Sequence, residues 1–354
     1  MNLPNYEFLS APLWLVDILH ILTLTLHFVA MNFLLGGVII TIYAAVRRRW
    51  DDPTLRKFAR MFPVAMAATV TLGVAPLLFL QMVYPKQTYA AAIVSGWFWL
   101  LIIAVVIVAY YALYRNALKA ERTGKISLVA MVLALAGLLY VSLAYSSVFS
   151  MAERPAQIHK LYAASQSGWT WNPATGDWVL RWLHMVLGAV TVGGFIIGMI
   201  GRDQPETYLL GKQFFVGGMA LAMLAGFAYM LSLLPYLSAF MHTPAIWALT
   251  VGVLLSLGSL HFYFKRSFCA SGTMLFVSML TMVYARHVVR LLKLAGQFDP
   301  SSWRVAPQWS VFALFLVCFV AMLAVVGYMI RLVIRAKPSA AQTALELPTK
   351  PISL

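Results

Sequence analysis

Long apolar runs, separated by short polar stretches, recur along the whole chain. Each run is about 20 residues or longer, which is the length that an α-helix needs to cross a bilayer. We predict nine membrane-spanning helices, or eight if the last run is not a true span. The predicted spans are residues 12–46, 60–84, 93–115, 126–150, 178–201, 212–238, 243–265, 271–294 and 308–336. The pattern therefore predicts an all-α, polytopic membrane helix bundle over residues 1–336, and a disordered cytoplasmic tail over residues 337–354.

The composition agrees with this interpretation. Of the 354 residues, 62% are hydrophobic and 10% are charged, whereas a soluble domain carries about 25% charged residues. No connecting segment is long enough to fold as a separate domain. Residues 1–11 lack the basic region and cleavage site of a signal peptide, so we expect none there.

Basic residues are distributed unevenly among the connecting segments. The segments after spans one, three, five and seven, with the C-terminal end, hold 18 of the 26 Lys and Arg residues. Cytoplasmic segments carry such an excess, so we predict that the N-terminus lies outside and the C-terminus inside the bacterial cytoplasmic (inner) membrane. The same asymmetry accounts for the net charge of +15, and we expect no nucleic-acid partner.

One basic group lies on the opposite, outer side. Arg286, Arg290 and Lys293 lie at the outer end of span eight, and Arg304 follows. Charges inside a membrane are costly unless they are paired. Two interpretations remain open: the side chains extend to lipid phosphates, or Arg286 and Arg290 pair with an anionic ligand such as a haem propionate.

The histidines are the most informative candidate ligands. They are His20, His27, His159, His184, His242, His261 and His287. All except His261 fall in the predicted outer half of the membrane or in an outer loop. His20 and His27 are two helical turns apart and therefore share one helix face. Imidazoles at one depth on several helices are typical of b-type haem ligation, although single histidines also serve as ordinary hydrogen-bonding residues.

Other residues could complete such a site. His20, His242 and His287 are candidates for second axial ligands or for hydrogen bonds to a quinol. Met279 and Met282 could supply a thioether ligand, although most methionines in such a chain only pack. No CxxCH motif is present for covalent haem attachment, and the two cysteines form no CxxC metal pair.

Carboxylates give little support to proton pumping. Of the eleven, only Asp17 lies clearly within a predicted span, while Glu7, Glu153, Asp177 and Asp299 fall in outer segments. A proton pump needs a buried series of carboxylates or histidines. We find no convincing internal repeat, no dinucleotide fingerprint and no hydrolytic motif.

Two stretches resemble a known family. The first is LTLTLHFVAMNFLLGG at 22–37, with GVAPLLFLQMVYPKQTYAAAIVSG at 73–96, and the second is WNPATGDWVLRWLHMVLGAVTVGGFIIG at 171–198. Both are similar to subunit I of the cytochrome bd quinol oxidases, in the same order. The resemblance implies that His27 ligates the haem of the oxygen-reducing site and that His184 ligates the low-potential b haem.

The sequence also departs from that family. A family glutamate near the oxygen site aligns with Gln81, and the long outer loop that binds quinol after span six is missing. The resemblance covers roughly residues 12–235, and oxygen reduction is the activity that it supports least.

Three functions follow as alternatives. The first is a haem b-binding subunit of a quinol-oxidising complex, which passes electrons from membrane quinol to a periplasmic c-type cytochrome and contacts membrane lipids and other membrane subunits. The second is a haem-free scaffold or anchor subunit that retains a cytochrome-bd-like fold. A small-molecule transporter is the third, and it lacks support from repeats or buried charges.

Overall fold

Nearly all of the chain that the computed structural model describes, residues 8–49 and 51–345, is helical. One short 3-10 turn, Pro300–Ser302, and an isolated bridge between Leu9 and Val305 are the remaining regular features. The α-helices in the described ranges are α1 (Leu13–Val46), α2 (Pro53–Val83), α3 (Pro85–Val94), α4 (Gly96–Thr123), α5 (Leu128–Ala152), α6 (Pro155–Ala164), α7 (Thr175–Ile200), α8 (Pro205–Ser232), α9 (Leu234–Met241), α10 (Ala245–Phe264), α11 (Phe268–Leu294) and α12 (Trp309–Leu345).

Nine of these helices are long and apolar enough to cross a membrane: α1, α2, α4, α5, α7, α8, α10, α11 and α12. The predicted all-α polytopic bundle is therefore confirmed for the described residues. Exposed apolar side chains such as Val64, Leu224 and Trp247 cover its surface, as lipid contact requires. The protein is a multi-pass membrane protein.

Several helix boundaries differ from the prediction for identifiable reasons. Helix α2 begins at Pro53 rather than near residue 60, because the Asp52 carboxylate accepts hydrogen bonds from the Thr54 and Leu55 amides at 2.9 and 3.1 Å. The sixth span, predicted to reach residue 238, ends at Ser232. Pro235 has no amide hydrogen to continue that helix, and it lies instead in the first turn of α9.

The described residues form two compact units. The first is residues 13–303, and the second is residues 8–12 with 304–345. In the second unit the amides of Leu9 and Ala306 bond to the carbonyls of Arg304 and Leu9 at 2.8 and 2.9 Å. Helix α12 continues to Leu345, so the first part of the predicted disordered tail is helical. Residues 346–354 lie outside the described residues.

The helix packing of the first unit has an approximate internal repeat, which was not evident from the sequence. Helices α1 and α2 pack as an antiparallel pair, as do α7 and α8, and the pairs α4–α5 and α10–α11 correspond in the same way. Helix α1 also packs on α11, and α7 packs on α5. The equivalence is incomplete, because α2 packs directly on α4 whereas α9 lies between α8 and α10.

The two halves meet where α1 crosses α7. A Cβ atom on Gly193 would lie 2.6 Å from the carbonyl carbon of Gly36, and one on Gly36 would overlap the Ala189 carbonyl. Only glycine permits so close an approach of two backbones. The two helices run in the same direction, since Arg49 beyond the end of α1 donates to Thr207 at the start of α8 at 3.0 Å.

Candidate functional site

His27 lies on α1 against the neighbouring helix α2. Its Nδ1 is 2.9 Å from the carbonyl oxygen of Thr69. Gly73, one turn further along α2, makes room for the ring, because a Cβ there would lie 2.9 Å from both Nδ1 and Cε1. The ring is half-buried.

His184 occupies the equivalent position in the second helix pair. Its Nδ1 is 2.8 Å from the carbonyl oxygen of Ala222 on α8. Gly226 lies one turn further along α8, and a Cβ added there would be 2.9 Å from Nδ1 of the ring. The repeat is visible in the sequence as HFVAMNFLLGG at 27–37 and HMVLGAVTVGG at 184–194, where a histidine precedes two glycines by the same distance.

The carbonyl partners fix the tautomer of both rings. A carbonyl oxygen only accepts hydrogen bonds, so Nδ1 of His27 and of His184 carries the proton. In a neutral imidazole the lone pair then lies on Nε2, for which we find no hydrogen-bond partner in the part of the chain that the structure describes. Metal-ligating histidines characteristically donate their other nitrogen to a carbonyl or carboxylate. Both residues therefore fit an axial ligand of haem iron.

The two rings lie at one depth but on separate sides of the bundle. His27 and His184 each precede their crossing glycine, Gly36 or Gly193, by nine residues, or roughly 14 Å along the helix axis. Nine residues also correspond to about two and a half turns, so each ring lies on the helix face opposite the crossing. The two imidazoles therefore lie on separate sides of the crossing and do not face each other.

His20 and His287 lie nearer the outer end, by which we mean the end where α1 begins and α11 ends. His20 is buried, and its Nδ1 is 3.2 Å from the Pro76 carbonyl oxygen. His287 is also buried, and its Nε2 lies 3.8 Å from an Asp17 carboxylate oxygen. Its Nδ1 has no hydrogen-bond partner among the described residues. His20 lies near Arg290 and His287. It is two turns before His27 on the same face of α1, and it makes the same type of contact to a carbonyl of α2.

The structure does not bring His242 into this group. It is exposed at the end of α9, and its Nδ1 bonds to the Ser238 carbonyl in its own turn at 2.8 Å. Met279 lies on α11 with its sulfur 3.5 Å from the Asn32 side-chain amide of α1.

Glu153, directly after α5, is the centre of a buried charge cluster. Its side chain is 2% exposed and pairs with Arg286. Lys293 Nζ and Arg290 Nε lie 3.5 and 3.7 Å from the carboxylate, and Arg181 Nη1 lies at 3.9 Å. Burial alone would raise the pKa of Glu153, but the four cations outweigh it and lower the pKa to about 2.

Asp177 forms the second acidic position of the cluster. It pairs with Lys293, accepts a hydrogen bond from Arg154 at 3.0 Å and lies 3.3 Å from the Ser150 hydroxyl. Arg181 one turn later donates to the Ser146 carbonyl at 2.6 Å. The cluster thus ties the outer ends of α5, α7 and α11 together.

These contacts decide between the two interpretations for one residue of the basic group. Lys293 is 3% exposed and pairs within the chain, so it does not extend to lipid phosphates. Glu153 and Asp177 lie at the ends of helices, and both are buried. The five cations Arg154, Arg181, Arg286, Arg290 and Lys293 still outnumber these two carboxylates.

Part of the donor capacity remains unused. Nη1 of Arg286 and Nη1 of Arg290 are buried without a hydrogen-bond partner among the described residues. The two side chains are one turn apart on α11, so both nitrogens are available to an anionic group at the outer end.

The histidines, Arg286 and Arg290 stand out in the sequence, but nothing in the sequence indicates that the arginines pair with Glu153. The paired residues are 133 positions apart, and no local pattern reports such a contact. The histidine–glycine repeat could have been found, since its spacing is the same in both halves.

Comparison with models of known protein families and with curated protein sequences found no match.

Proposed function

We propose that the protein is a haem b-binding membrane subunit of a respiratory electron-transfer complex. In this proposal it passes electrons from membrane quinol to a periplasmic c-type cytochrome, in a bacterial inner membrane and with other membrane subunits.

The repeated geometry of His27 and His184 carries the proposal. In each pair a neutral imidazole is oriented by a carbonyl on the next helix and given room by a glycine. Polar groups in a membrane are costly unless a partner uses them, and in both rings Nε2 is the nitrogen left for a partner. Haem bound there would supply one-electron transfer between its ferric and ferrous states.

Other residues of the chain would hold the group and the quinol. The unpartnered Nη1 atoms of Arg286 and Arg290 suit the propionates of a haem. His20 and His287 are the buried candidates for quinol hydrogen bonds or second ligands, and Asp17 beside His287 could take up a proton. Oxygen reduction is not part of the proposal, because Gln81 stands where the resembling family has a glutamate.

Imidazole removal tests the proposal directly. His27→Ala and His184→Ala should each lower the haem content of the purified protein, and the double variant should abolish it. His159→Ala is the matched control, because His159 is exposed on α6 and should leave the content unchanged. A double variant with the wild-type visible spectrum would contradict the proposal.

A haem-free scaffold is the second candidate, and one observation favours it. Glu153 pairs with Arg286 and lies close to Arg290, so the basic group has a partner within the chain even without propionates. If the double histidine variant assembles a stable complex with unchanged electron transfer, the scaffold is the better account.

A further inference from the structure

An open groove lies between α2 and α4 on the membrane-facing surface. Its volume is about 510 Å³, which is within the range of ligand-binding pockets. Small side chains of α2, such as Ala67 and Thr71, form one wall, and Tyr110, Tyr111 and Tyr114 of α4 form the other. The lining is mostly apolar, and the bilayer core holds no water to fill it, so the occupant that fits the groove is a hydrocarbon chain.

The depth of the groove corresponds to one leaflet of a bilayer. Its deepest lining residues are Thr71 on α2 and Val106 on α4. Thr71 lies eleven residues after Arg60, or roughly 16 Å along the helix axis. Val106 lies nine residues before Arg115, or roughly 14 Å. Half of the hydrocarbon core is about 15 Å thick, so the groove reaches from the level of these arginines to near the midplane, as one acyl chain does.

Basic side chains surround the inner mouth of the groove, by which we mean the end where α2 begins and α4 ends and which we predict to be cytoplasmic. Arg60 lies two turns before Ala67 on the same face of α2. The end of α4 is adjacent, because a Cβ on Gly124 would lie 3.0 Å from Nη1 of Arg56. All charged residues of the two helices lie towards this end: the cations are Arg56, Lys57, Arg60, Arg115, Lys119 and Arg122, and Glu121 is the one carboxylate. Asp51 and Asp52 precede α2, and Asp52 already pairs with Arg49.

The groove and its mouth together favour one class of occupant. A positive mouth at the headgroup level attracts a lipid with a net negative charge. Tyrosine rings such as that of Tyr114, next to Arg115, also prefer the level where headgroups meet the hydrocarbon core. A neutral quinol could place its chain in the groove, but it would make no use of the cations.

We propose that the α2–α4 groove is a specific binding site for one anionic phospholipid of the inner leaflet. An acyl chain of the lipid lies between Ala67 and Thr71 on one side and the tyrosines of α4 on the other. Its phosphate lies at the inner mouth, where Lys57 and Arg60 are the exposed cations of α2. This inference does not depend on haem.

Native mass spectrometry of the full chain tests the headgroup part of the proposal. The protein is titrated in detergent with phosphatidylglycerol or with phosphatidylcholine of the same acyl chains, and we expect it to bind one phosphatidylglycerol more tightly. Lys57→Gln with Arg60→Gln should weaken this binding about 25-fold, because each basic residue near an anionic lipid contributes about fivefold. Arg202→Gln with Lys265→Gln is the control, since it removes the same charge from exposed positions at the same end of the bundle. Equal affinity for both lipids, or equal losses in both double variants, would overturn the proposal.

Filling the groove tests the position of the acyl chain. Ala67 is exposed in the groove, so Ala67→Phe should fold normally and weaken phosphatidylglycerol binding by occupying the space of the chain. Leu224→Phe is the control, because Leu224 is 67% exposed on the membrane-facing surface of α8 and should leave the binding unchanged. Unchanged binding in Ala67→Phe would overturn the proposal. A loss of ubiquinone binding without a loss of phosphatidylglycerol binding would assign the groove to an isoprenoid chain and overturn it as well.

Discussion

At the scale of single residues, the surroundings of the histidines decide what they can do. The presence of a histidine in a membrane helix does not by itself show whether its imidazole binds a ligand or only packs against its neighbours. The carbonyls of Thr69 and Ala222 place the ring proton on Nδ1 of His27 and His184, which leaves Nε2 with a lone pair. His242 makes the same type of contact to a carbonyl, but within its own turn and on an exposed side chain, so its position and exposure distinguish it from both rings.

Gly226 should be required for the position of the His184 ring. A Cβ at Gly226 would lie 2.9 Å from Nδ1, so Gly226→Ala should displace the ring from the Ala222 carbonyl and cost about 1–3 kcal/mol of unfolding free energy. Gly217→Ala on the same helix is the control, because nothing lies within 4 Å of its added Cβ. Denaturation of both variants in detergent measures the difference, and equal stability would show that the ring does not depend on the glycine.

Glu153 should be the most important charge for stability. Glu153→Gln leaves three arginines and Lys293 without their shared carboxylate, and breaking a buried ion pair costs about 3–5 kcal/mol. Glu206→Gln is the control: Glu206 is 86% exposed and 3.9 Å from Arg49, so its loss should change the unfolding free energy by less than about 0.5 kcal/mol. Similar losses of unfolding free energy from both substitutions would contradict the idea that Glu153 stabilises the protein through buried ion pairs.

The contribution of Glu153 should also depend on pH in a defined direction. Its pKa is lowered from 4.5 to about 2 in the folded state, so the folded state holds its proton less tightly than the unfolded state does. The stability difference between wild type and Glu153→Gln should be constant between about pH 5 and pH 8. It should shrink as the pH falls from 4.5 towards 2, which unfolding at a series of pH values measures. A difference that grows on acidification would have the wrong sign.

At the scale of helices, hydropathy predicted the number of spans, and capping or proline chemistry set the exact ends. Pro235 could have indicated a helix break, but the long apolar run around it led to the prediction of one continuous span. The α1–α7 crossing was not predictable in the same way. Gly36 and Gly193 belong to distant segments. A pair of glycines indicates that a helix packs closely at that position, but it does not indicate which helix.

Gly193→Ala should separate α1 from α7. The added Cβ would lie 2.6 Å from the backbone of Gly36, and a backbone atom cannot move aside as a side chain can. We expect a loss of about 1–3 kcal/mol from this overpacking. Gly188→Ala, on the same helix with nothing within 4 Å, should be neutral or slightly stabilising. The comparison is made by denaturation in detergent, and a neutral Gly193→Ala would show that the crossing is looser than described.

At the scale of the whole molecule, the largest feature is the first compact unit, residues 13–303, in which a pattern of helix packing repeats and the two halves meet where α1 crosses α7. The fold class followed from periodicity and composition, because every apolar run had to be buried in lipid or protein. The charge cluster did not follow, since its acids and bases come from three separate segments, at the ends of α5, α7 and α11. Hydropathy treats Glu153 and Asp177 as loop residues, and only tertiary packing shows that they are buried.

The predicted orientation can be measured on the intact protein. With Cys269 and Cys318 replaced by serine, a cysteine at Glu121 beyond the predicted third span should react only with reagent on the cytoplasmic side. Ser301 is exposed in the connection between α11 and α12, which we predict to lie outside because the more basic segments stay in the cytoplasm. A cysteine there should react with reagent on the outer side. Reversed labelling would invert the orientation.

The most direct test of the central claim is a dithionite-reduced minus oxidised visible spectrum of the purified protein, with a pyridine haemochrome assay. The account predicts a b-type α band, lowered in His27→Ala and in His184→Ala and absent from the double variant. A flat spectrum from a well-folded wild-type preparation would contradict the haem proposal and favour the scaffold.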